Sequence, residues 1–323
     1  MSWNKTLEKY PEANFLQSPE WEKVNQLLGN DVIVSEFDNF GRALMIVRKA
    51  KRGRYLEIPC GPLIDWEDTS ELYNVFSEIR NVAKENHCAF VRIRPQLERT
   101  SDNMMLLKDL NLKPSPMHLA AEHTVILDLT KTEEELLADM RRQTRYEVRR
   151  ADKVGIKVET YTDEEMFREF HKVQLETARR QHFFPPSLKA LLAEHEAFGE
   201  KAVIYVAKYE GQPVAYGLII SNGHEADYYE AASTDLNRKL PGAYALIWQA
   251  MKDLKFQGIK RFNLWGIAPP NQPNHRYAGV TTFKTGFGGE IVEYIPAHDL
   301  IINKVKYLPN LIVETARKKK RHL

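Results

Sequence analysis

Lys201-Ala-Val-Ile-Tyr-Val-Ala207 and Pro213-Val-Ala-Tyr-Gly-Leu-Ile-Ile220 lie on either side of the dipeptide Glu210-Gly211. Two apolar runs joined by a short turn predict a hairpin of two strands. The run from Ala226 to Ser233 predicts a third strand beside them. The middle of the second half of the chain therefore predicts an antiparallel sheet.

A helix and one more strand follow this hairpin. Residues 242–257 carry apolar side chains at helical spacing, and Gly258 ends the helix. Arg261-Phe-Asn-Leu-Trp-Gly266 then predicts a strand. Because a strand reached through a helix commonly runs parallel to an earlier strand, this order predicts a mixed sheet in an α/β fold.

The first half of the chain repeats this order. Strands are predicted at residues 31–37, 42–50, 55–59 and 89–94, with a helix from about Asp68 to Asn86 before the last of them. The repeated order predicts one α/β module used twice, with mixed sheets. We place the first domain at residues 1–129 and the second at residues 130–295.

The junction is predicted near residue 130 because a helix begins there. Thr132 and Glu135 have the spacing of a capping box, and the apolar stripe behind them predicts one continuous helix to Ala151. Thr162 and Glu165 have the same spacing and predict another helix through about residue 180.

The composition is that of an ordinary globular protein, with 43% hydrophobic and 28% charged residues among 323. No stretch reaches the ~18 apolar residues of a membrane span, and the start of the chain lacks the apolar core of a secretory signal. Cys60 and Cys88 are too few for a disulfide framework or a four-cysteine zinc site. We therefore expect a cytoplasmic protein with reduced thiols.

Several common enzyme motifs are missing from the sequence. It contains no Walker phosphate loop, no dinucleotide fingerprint, no HExxH or CxxC motif and no GxSxG elbow. These motifs supply phosphate cradles, metal ligands or a serine nucleophile. We therefore expect neither a metal nor a cofactor.

Lys284 is the sharpest candidate for a chemical role. It lies in Phe283-Lys284-Thr285-Gly286-Phe287, after a long Pro/Asn loop at the end of a predicted strand. Its apolar neighbours predict a partly desolvated ammonium, and such a cation binds an oxyanion far more strongly than it would in water. A surface lysine in a turn is the alternative.

A basic cluster occupies the helix after the junction. Six basic residues fall within thirteen positions, namely Arg141, Arg142, Arg145, Arg149, Arg150 and Lys153. Arg141, Arg145 and Arg149 are spaced by four and line one edge of the helix. Such a cluster could contact phosphates, but a run of charges is usually an ordinary solvated face.

Six short stretches match one known family in order and spacing. They are Phe15-Leu-Gln-Ser-Pro-Glu-Trp21, Ile58-Pro-Cys-Gly-Pro-Leu63, Val125 to Leu129 with the helix ending Arg145-Tyr146, Tyr228-Tyr-Glu-Ala-Ala-Ser233, Leu264-Trp-Gly-Ile267, and Gly279 through Phe287. The chain thus resembles the Fem family of non-ribosomal peptidyl transferases. This resemblance implies two tandem acetyltransferase-like (GNAT) domains, with residues 296–323 packed back on the first. No heptad run interrupts the second module, so we expect no coiled-coil arm.

The resemblance also implies an activity, the transfer of an amino acid in cell-wall cross-bridge formation. The donor is the ester of an aminoacyl-tRNA, and the acceptor is the side-chain amine of the third residue of a peptidoglycan stem peptide. Lys284 matches the family lysine that stabilises the negative oxygen of the tetrahedral intermediate. Phe283 lies along the acceptor end of the tRNA, with Arg145 and Arg149 as phosphate contacts. No DNA partner is expected.

The candidate substrate-binding residues are Lys23, Arg94, Arg180, Tyr228 and Trp265. Lys23 is near the place of an acceptor-binding lysine in members that use soluble precursors, although the closer register gives Asn25. Arg180 is near the place of their second phosphate-binding arginine. Tyr228 and Trp265 are at least as good candidates for the core. The acceptor is a UDP-linked or a lipid-linked precursor, and a peripheral membrane contact stays open.

Two other interpretations stay open. The first is an acyl-CoA-dependent N-acetyltransferase, whose fold binds pyrophosphate with a glycine-rich loop at a helix N-terminus. The corresponding segment is Arg238-Lys-Leu-Pro-Gly-Ala243, in which Pro241 replaces the first glycine and lacks an N–H. The second is a non-catalytic RNA-binding protein, which the basic cluster and the run Arg317-Lys-Lys-Lys-Arg321 permit.

Overall fold

The computed structural model describes residues 2–10, 13–38, 40–181, 183–270, 272 and 275–321, with side chains up to residue 318. It divides into two compact units. The first runs to Glu122 and takes up the chain again from Glu293, and the second is His123–Val292.

The first unit is a mixed sheet with helices. Its elements are α1 (Trp3–Lys9), α2 (Pro19–Leu27), β1 (Asp31–Glu36), β2 (Gly41–Ala50), β3 (Gly53–Pro59), β4 (Leu63–Ile64), α3 (Thr69–Glu85), β5 (Cys88–Arg94), α4 (Ser101–Asp109), β6 (Lys113–Pro114), β14 (His298–Ile301) and α11 (Lys304–Arg321). The sheet order among the described residues is β1-β2-β3-β5-β14-β6, with β4 paired to β2. Helix α3 buries its apolar face in the core beneath β3 and β5.

The segment after Glu293 completes this sheet. Strand β14 lies between β5 and β6 and is antiparallel to both. Arg92 on β5 pairs with Asp299 at 2.8 Å and with Glu314 of α11 at 2.8 Å, and all three side chains are buried. The Tyr307 hydroxyl donates to the same Asp299 at 2.9 Å. One face of α11 is therefore fixed to the sheet by an ion-pair network that excludes water.

The second unit repeats the arrangement. Its elements are β7 (His123–Asp128), α5 (Glu133–Asp139), α6 (Arg142–Lys153), β8 (Lys157–Tyr161), α7 (Glu164–Gln181), α8 (Leu188–Phe198), β9 (Ala202–Tyr209), β10 (Gln212–Asn222), β11 (Glu225–Ser233), α9 (Gly242–Phe256), β12 (Arg261–Asn263), α10 (Ala278–Lys284) and β13 (Glu290–Glu293). The sheet order among the described residues is β13-β7-β12-β11-β10-β9-β8. Both sheets are mixed, which confirms the predicted fold class.

Each unit contains a parallel pair among its described strands, as the repeated strand–helix–strand order predicts. In the first unit β3 runs parallel to β5, and the ladder ends where Pro59 is opposite Arg94. In the second unit β11 runs parallel to β12, and that ladder ends where Asp227 is opposite Asn263. In open α/β sheets, ligands commonly bind beyond the carboxyl ends of parallel strands.

The division between units falls before the predicted junction at residue 130. Strand β7 is antiparallel to β12, with Leu127 opposite Phe262, so it belongs to the second sheet. The capping box of Thr132 and Glu135 is present at the start of α5. The single helix expected from there to Ala151 is wrong, because α5 ends at Asp139 and α6 begins at Arg142.

The second predicted capping box is also wrong. The N–H of Met166 donates to the carboxylate of Asp163 at 2.9 Å, so α7 is capped one residue after Thr162.

Among the described residues, no helix is both long enough and apolar enough to cross a membrane.

Candidate active site

The candidate site lies where the β11–β12 ladder ends. Tyr228 continues β11 beyond the last pair, and the chain after Asn263 turns away through Trp265 and Gly266. Lys284, the last residue of α10, reaches this place. The structure therefore brings together three of the predicted site residues, which are Lys284, Tyr228 and Trp265.

Lys284 is only 8% exposed. Its Nζ donates to the carbonyl oxygen of Gly266 at 2.9 Å and lies 5.8 Å from the centroid of the Tyr228 ring. No carboxylate forms an ion pair with it within the described part of the chain. Burial lowers the pKa of Lys284 to about 7, because water no longer stabilises the charged form. A surface lysine in a turn is thus the wrong interpretation of this residue.

A buried ammonium with a lowered pKa is suited to acyl transfer. With a pKa of about 7, Lys284 exchanges a proton easily at neutral pH. A negative charge that develops beside it in a buried place is stabilised more strongly than in water. Lys284 already has the Gly266 carbonyl as one hydrogen-bond acceptor, and an ammonium has three donors.

A strained turn presents that carbonyl. Trp265 has a φ of 61°, which is uncommon for a bulky residue. The Asn263 side chain accepts from the Trp265 N–H at 2.9 Å. The Thr124 hydroxyl lies within hydrogen-bond distance of both the Trp265 carbonyl oxygen, at 3.1 Å, and the Asn263 side-chain oxygen, so the two acceptors share its one hydrogen. These bonds hold the turn and so place Gly266, and the Trp265 ring packs edge-on against Tyr229.

The C-terminal end of α10 is held from outside by Arg141. Its Nη2 donates to the Thr282 carbonyl at 2.5 Å and to the Thr285 hydroxyl at 3.0 Å. The Arg141 N–H donates to the Gly286 carbonyl at 2.9 Å, which accounts for the break between α5 and α6. A Cβ on Gly286 would come within 2.3 Å of the Thr144 hydroxyl, so a glycine is required there. Arg141 is therefore committed to fixing the backbone of Lys284.

Phe283 is half-buried beside the lysine. The centroid of its ring lies 5.0 Å from that of the Tyr244 ring and 5.2 Å from that of the Phe287 ring, and both contacts are edge-on. These contacts fix the ring and leave part of it at the surface.

The two predicted phosphate contacts on α6 have different surroundings. Arg145 is half-buried, and its Nη1 lies within 3.0 Å of the carbonyl oxygens of Leu137, Ala138 and Met140 at the end of α5, which share its two N–H donors. It satisfies carbonyls that the broken helix leaves open, so the solvated-face interpretation is wrong for it. Arg149 is exposed, and none of the ion pairs in the described chain involves it.

Arg180 lines a cavity of about 200 Å³ near the end of α7. The other lining residues are Gln181, Ser233, Thr234, Asn237 and Arg238. Arg180 donates to the Ser233 carbonyl, and its Nε lies 3.7 Å from an Asp235 carboxylate oxygen. The cavity is polar and carries two guanidinium groups, which suits an anionic group of a substrate.

The start of α9 bears on the acyl-CoA interpretation. Pro241 is the N-cap residue and brings no N–H. The Ala243 N–H is already bonded to the Asn237 side chain at 3.1 Å. Pyrophosphate binding at a helix N-terminus needs free amides, so this arrangement weakens the acyl-CoA interpretation.

Arg94 occupies the corresponding ladder end in the first unit. It is 1% exposed, and it donates from Nη2 to the Cys60 sulfur at 2.7 Å and from Nη1 to Gln96 at 2.6 Å. Its guanidinium also lies 5.0 Å from the centroid of the Tyr294 ring. No carboxylate forms an ion pair with it within the described residues. Each unit thus has a buried cation at the end of its parallel pair.

The remaining candidate, Lys23, is exposed on α2 of the first unit. Asn25, the alternative in the closer register, is buried and donates to the Trp21 carbonyl at 2.9 Å. Asn25 therefore has a structural role within α2, and Lys23 is the residue of the two that faces solvent.

Sequence reasoning missed the residues that position Lys284. Arg141 was included only as one of a basic cluster, and Asn263, Thr124 and Gly266 carried no prediction of their own. The contacts of Arg141 with Thr282 and of Thr124 with Trp265 join segments more than a hundred positions apart, so no local sequence pattern indicates them. Among the described residues, no group of three or more metal-ligating side chains lies together.

Comparison with known proteins gives a family. The family model described as FemAB matches residues 3–105, 116–212 and 207–314. The aminoacyltransferase FemA of Staphylococcus epidermidis is 32% identical over 95 residues, which is 29% of this chain and 23% of that protein. The match therefore spans less than a quarter of that relative's length.

Two solved structures show the same fold. A crystal structure of FemX superposes with a TM-score of 0.84 at 18% identity, over 97% of each chain. A tandem GNAT protein from the clavulanic acid biosynthesis pathway superposes with a TM-score of 0.53 at 11% identity, over 82% of this chain and 79% of the other. These likenesses confirm the acetyltransferase-like fold, and no coiled-coil arm occurs in the part of the chain that the structure describes. Because the FemAB model matches nearly the whole sequence, the chain belongs to the FemAB family.

Proposed function

We propose that this protein transfers an amino acid from an aminoacyl-tRNA to the side-chain amine of the third residue of a peptidoglycan precursor stem peptide. The observation that carries the proposal is Lys284, buried at the end of a parallel ladder and without an acidic partner among the described residues. Membership of the FemAB family supports the same reaction class.

The reaction forms an amide and breaks an ester. The acceptor nitrogen attacks the ester carbonyl, and the carbonyl oxygen takes the negative charge of the tetrahedral intermediate. In our proposal the Lys284 ammonium donates to that oxygen. The bond to the tRNA 3′ oxygen then breaks, and the proton of the attacking amine passes to this leaving group. No metal and no CoA enters the scheme.

The other candidate residues have binding roles in this proposal. Phe283 and Arg149 face the acceptor end of the tRNA, with a ring for stacking and a free cation for phosphate. Arg145 supports that surface by closing α5. Arg180 is a candidate for binding an anionic group of the precursor, and so, in the first unit, are Lys23 and Arg94. Tyr228 and Trp265 are candidates for substrate contacts next to Lys284, because the Tyr228 ring lies 5.8 Å from its Nζ and Trp265 precedes the Gly266 that binds it. The proposed place of action is the cytoplasm, with a peripheral membrane contact.

The test is transfer from a mixed pool of charged tRNAs to each of two precursors, UDP-linked and lipid-linked, followed by mass spectrometry. The mass added identifies the amino acid, and the modified precursor identifies the acceptor. Wild-type protein is compared with Lys284→Met, and with Lys108→Met as an exposed control in the first unit. Addition of no amino acid to either precursor, with acetyl transfer from acetyl-CoA instead, would overturn the proposal.

A further inference from the structure

Helix α11 has an apolar face that is exposed in the part of the chain that the structure describes. Val305 is 83% exposed, Leu308 53% and Ile312 60%. Pro309 and Ala316 are exposed as well. At 3.6 residues per turn, these five side chains lie on one side of the helix.

The opposite side of α11 is buried in the first unit. Tyr307, Asn310 and Glu314 point inward, and the last pairs with Arg92. Asn310 accepts from the Arg52 guanidinium at 3.0 Å. Leu311 also packs inward, against Phe90 and Tyr307. The helix is therefore anchored mainly through polar and aromatic side chains, and a separate stripe of its aliphatic side chains faces outward. In a usual surface helix the apolar side chains pack on the core.

Basic residues border the outward face on both sides. Lys304 and Lys306 flank the aliphatic stripe, one on each side, and Arg317 and Lys318 lie further round the helix, next to Asn310 and Tyr307. The one acidic residue in the described part of the helix is Glu314, which faces inward. The aliphatic strip of α11 thus has basic side chains on both of its sides.

We propose that α11 binds the surface of a membrane that contains anionic phospholipids. Aliphatic side chains enter the boundary between headgroups and acyl chains, and lysine and arginine side chains on both sides of the strip reach the phosphates. The positive charge of the basic side chains favours binding to a negatively charged surface. The aliphatic strip favours a lipid over a nucleic acid, because a nucleic acid has no apolar interior for these side chains to enter. The inference deepens the membrane contact of the proposed function.

The helix lies in the plane of the surface in this proposal. Its buried face stays bonded to β5 and β14, so binding needs no unfolding of the first unit. Three aliphatic side chains and four basic ones give a reversible attachment, comparable with a weak single anchor.

The experiment is sedimentation of the full-length protein with vesicles. One set is phosphatidylcholine alone, and the other contains about a third phosphatidylglycerol. Wild-type protein is expected to bind the second set at least tenfold more strongly than the first. The double substitution Leu308→Ser with Ile312→Ser should lower binding at least tenfold. Lys306→Gln with Arg317→Gln should lower it about ten- to thirtyfold on anionic vesicles, since each basic residue near such a surface contributes to the attraction.

Phe256→Ser is the matched control, because Phe256 is 93% exposed on α9 of the second unit. It should bind vesicles as wild type does, and thermal melting checks that every variant is folded. Equal binding by wild type and the Leu308/Ile312 variant would overturn the proposal. So would conversion of a wild-type dimer to a monomer by that variant, because a second copy would then cover the face.

Transfer RNA is the competing partner. Loss of tRNA binding in the Lys306/Arg317 variant, with vesicle binding unchanged, would assign these basic side chains to RNA and overturn the lipid proposal. All of these measurements read binding and none reads transfer. Failure of the proposed aminoacyl transfer would therefore leave the membrane result standing, and the reverse also holds.

Discussion

Lys284 donates a hydrogen bond from Nζ to the carbonyl oxygen of Gly266 at 2.9 Å, although the two residues belong to different elements. The carbonyl comes from the turn after β12, and the lysine is the last residue of α10. The contact fixes the ammonium at the end of the β11–β12 ladder.

Replacing Lys284 with Met should lower turnover. A donor that acts on the oxyanion stabilises the transition state and contributes little to substrate binding, so kcat falls while KM stays near the wild-type value. Loss of one such donor typically costs about 10²–10³-fold in rate. The measurement is transfer at saturating charged tRNA and precursor. Turnover near that of wild type would remove Lys284 from the mechanism.

The pH profile should separate a charged role from a basic one. Burial lowers the pKa of Lys284 to about 7, so the ammonium is lost as pH rises through that value. An oxyanion donor then gives kcat/KM a falling limb near pH 7, whereas a general base would give a rising one. Lys284→Arg keeps its charge to high pH and should show partial activity without that falling limb. A rising limb that disappears in Lys284→Arg would identify a base instead.

Replacing Lys284 with Met should also make the protein more stable. The unfolded chain holds the lysine proton up to the ordinary pKa near 10.5, whereas the folded protein releases it near 7. Between these values the unfolded state binds more protons, so this group lowers the free energy of unfolding as pH falls toward 7. Lys284→Met removes that penalty. Its melting temperature should exceed that of wild type by more at pH 7 than at pH 10, and an equal or lower value at pH 7 would contradict the burial argument.

Arg149 and Arg145 should respond differently to substitution by Ala. Arg149 is exposed, and its loss should reduce the salt dependence of tRNA binding by about 0.7–0.9 in logarithmic slope. Arg145 caps carbonyls at the end of α5, so its loss should lower stability and leave the slope nearly unchanged. Lys108→Ala, at an exposed position of the first unit, is the control. An unchanged salt dependence in Arg149→Ala would show that Arg149 does not contact a tRNA phosphate and is an ordinary solvated residue.

A buried carboxylate pair in the second unit gives a further pH test. Burial raises the pKa of Glu194 on α8, and the nearby Glu230 on β11 raises it further. Burial also raises the pKa of Glu230, although a hydrogen bond from Gln174 opposes this shift. A raised carboxyl pKa contributes stability that is lost as pH rises above the unfolded value near 4.5.

Glu194→Gln should therefore raise the melting temperature at pH 8 and have little effect near pH 4. Glu176→Gln changes an exposed carboxyl on α7 and serves as the control, with no expected change. Destabilisation by Glu194→Gln at pH 8 would show that the charged carboxylate is needed there.

The duplicated module could be predicted because each element has a local pattern. The apolar spacing of α3 and α9 and the alternating runs of β9 and β10 are visible within short windows. The burial of Lys284 was also predictable from its apolar neighbours. By contrast, the break at Met140 depends on the bond between Arg141 and Gly286, which no window of the sequence contains.

The contact between Arg94 and Cys60 in the first unit could not be predicted from a local sequence pattern either. Arg94 and Cys60 meet because β3 and β5 are parallel neighbours, a pairing made only in the folded sheet. Neither residue has a sequence motif that indicates the other. The local patterns therefore predict which elements form, and the contacts across elements decide what each cation does.

Strand β14 also has a consequence for biosynthesis. A nascent chain that has left the ribosome as far as β13 has every described strand of the second sheet, whereas the first sheet still lacks the strand between β5 and β6. Until β14 has been synthesised, β6 lacks its one neighbour among the described strands, and Arg92 lacks both Asp299 and Glu314. We therefore expect the unit translated second to be the first to close, with the N-terminal unit completed only when the last helix has been synthesised.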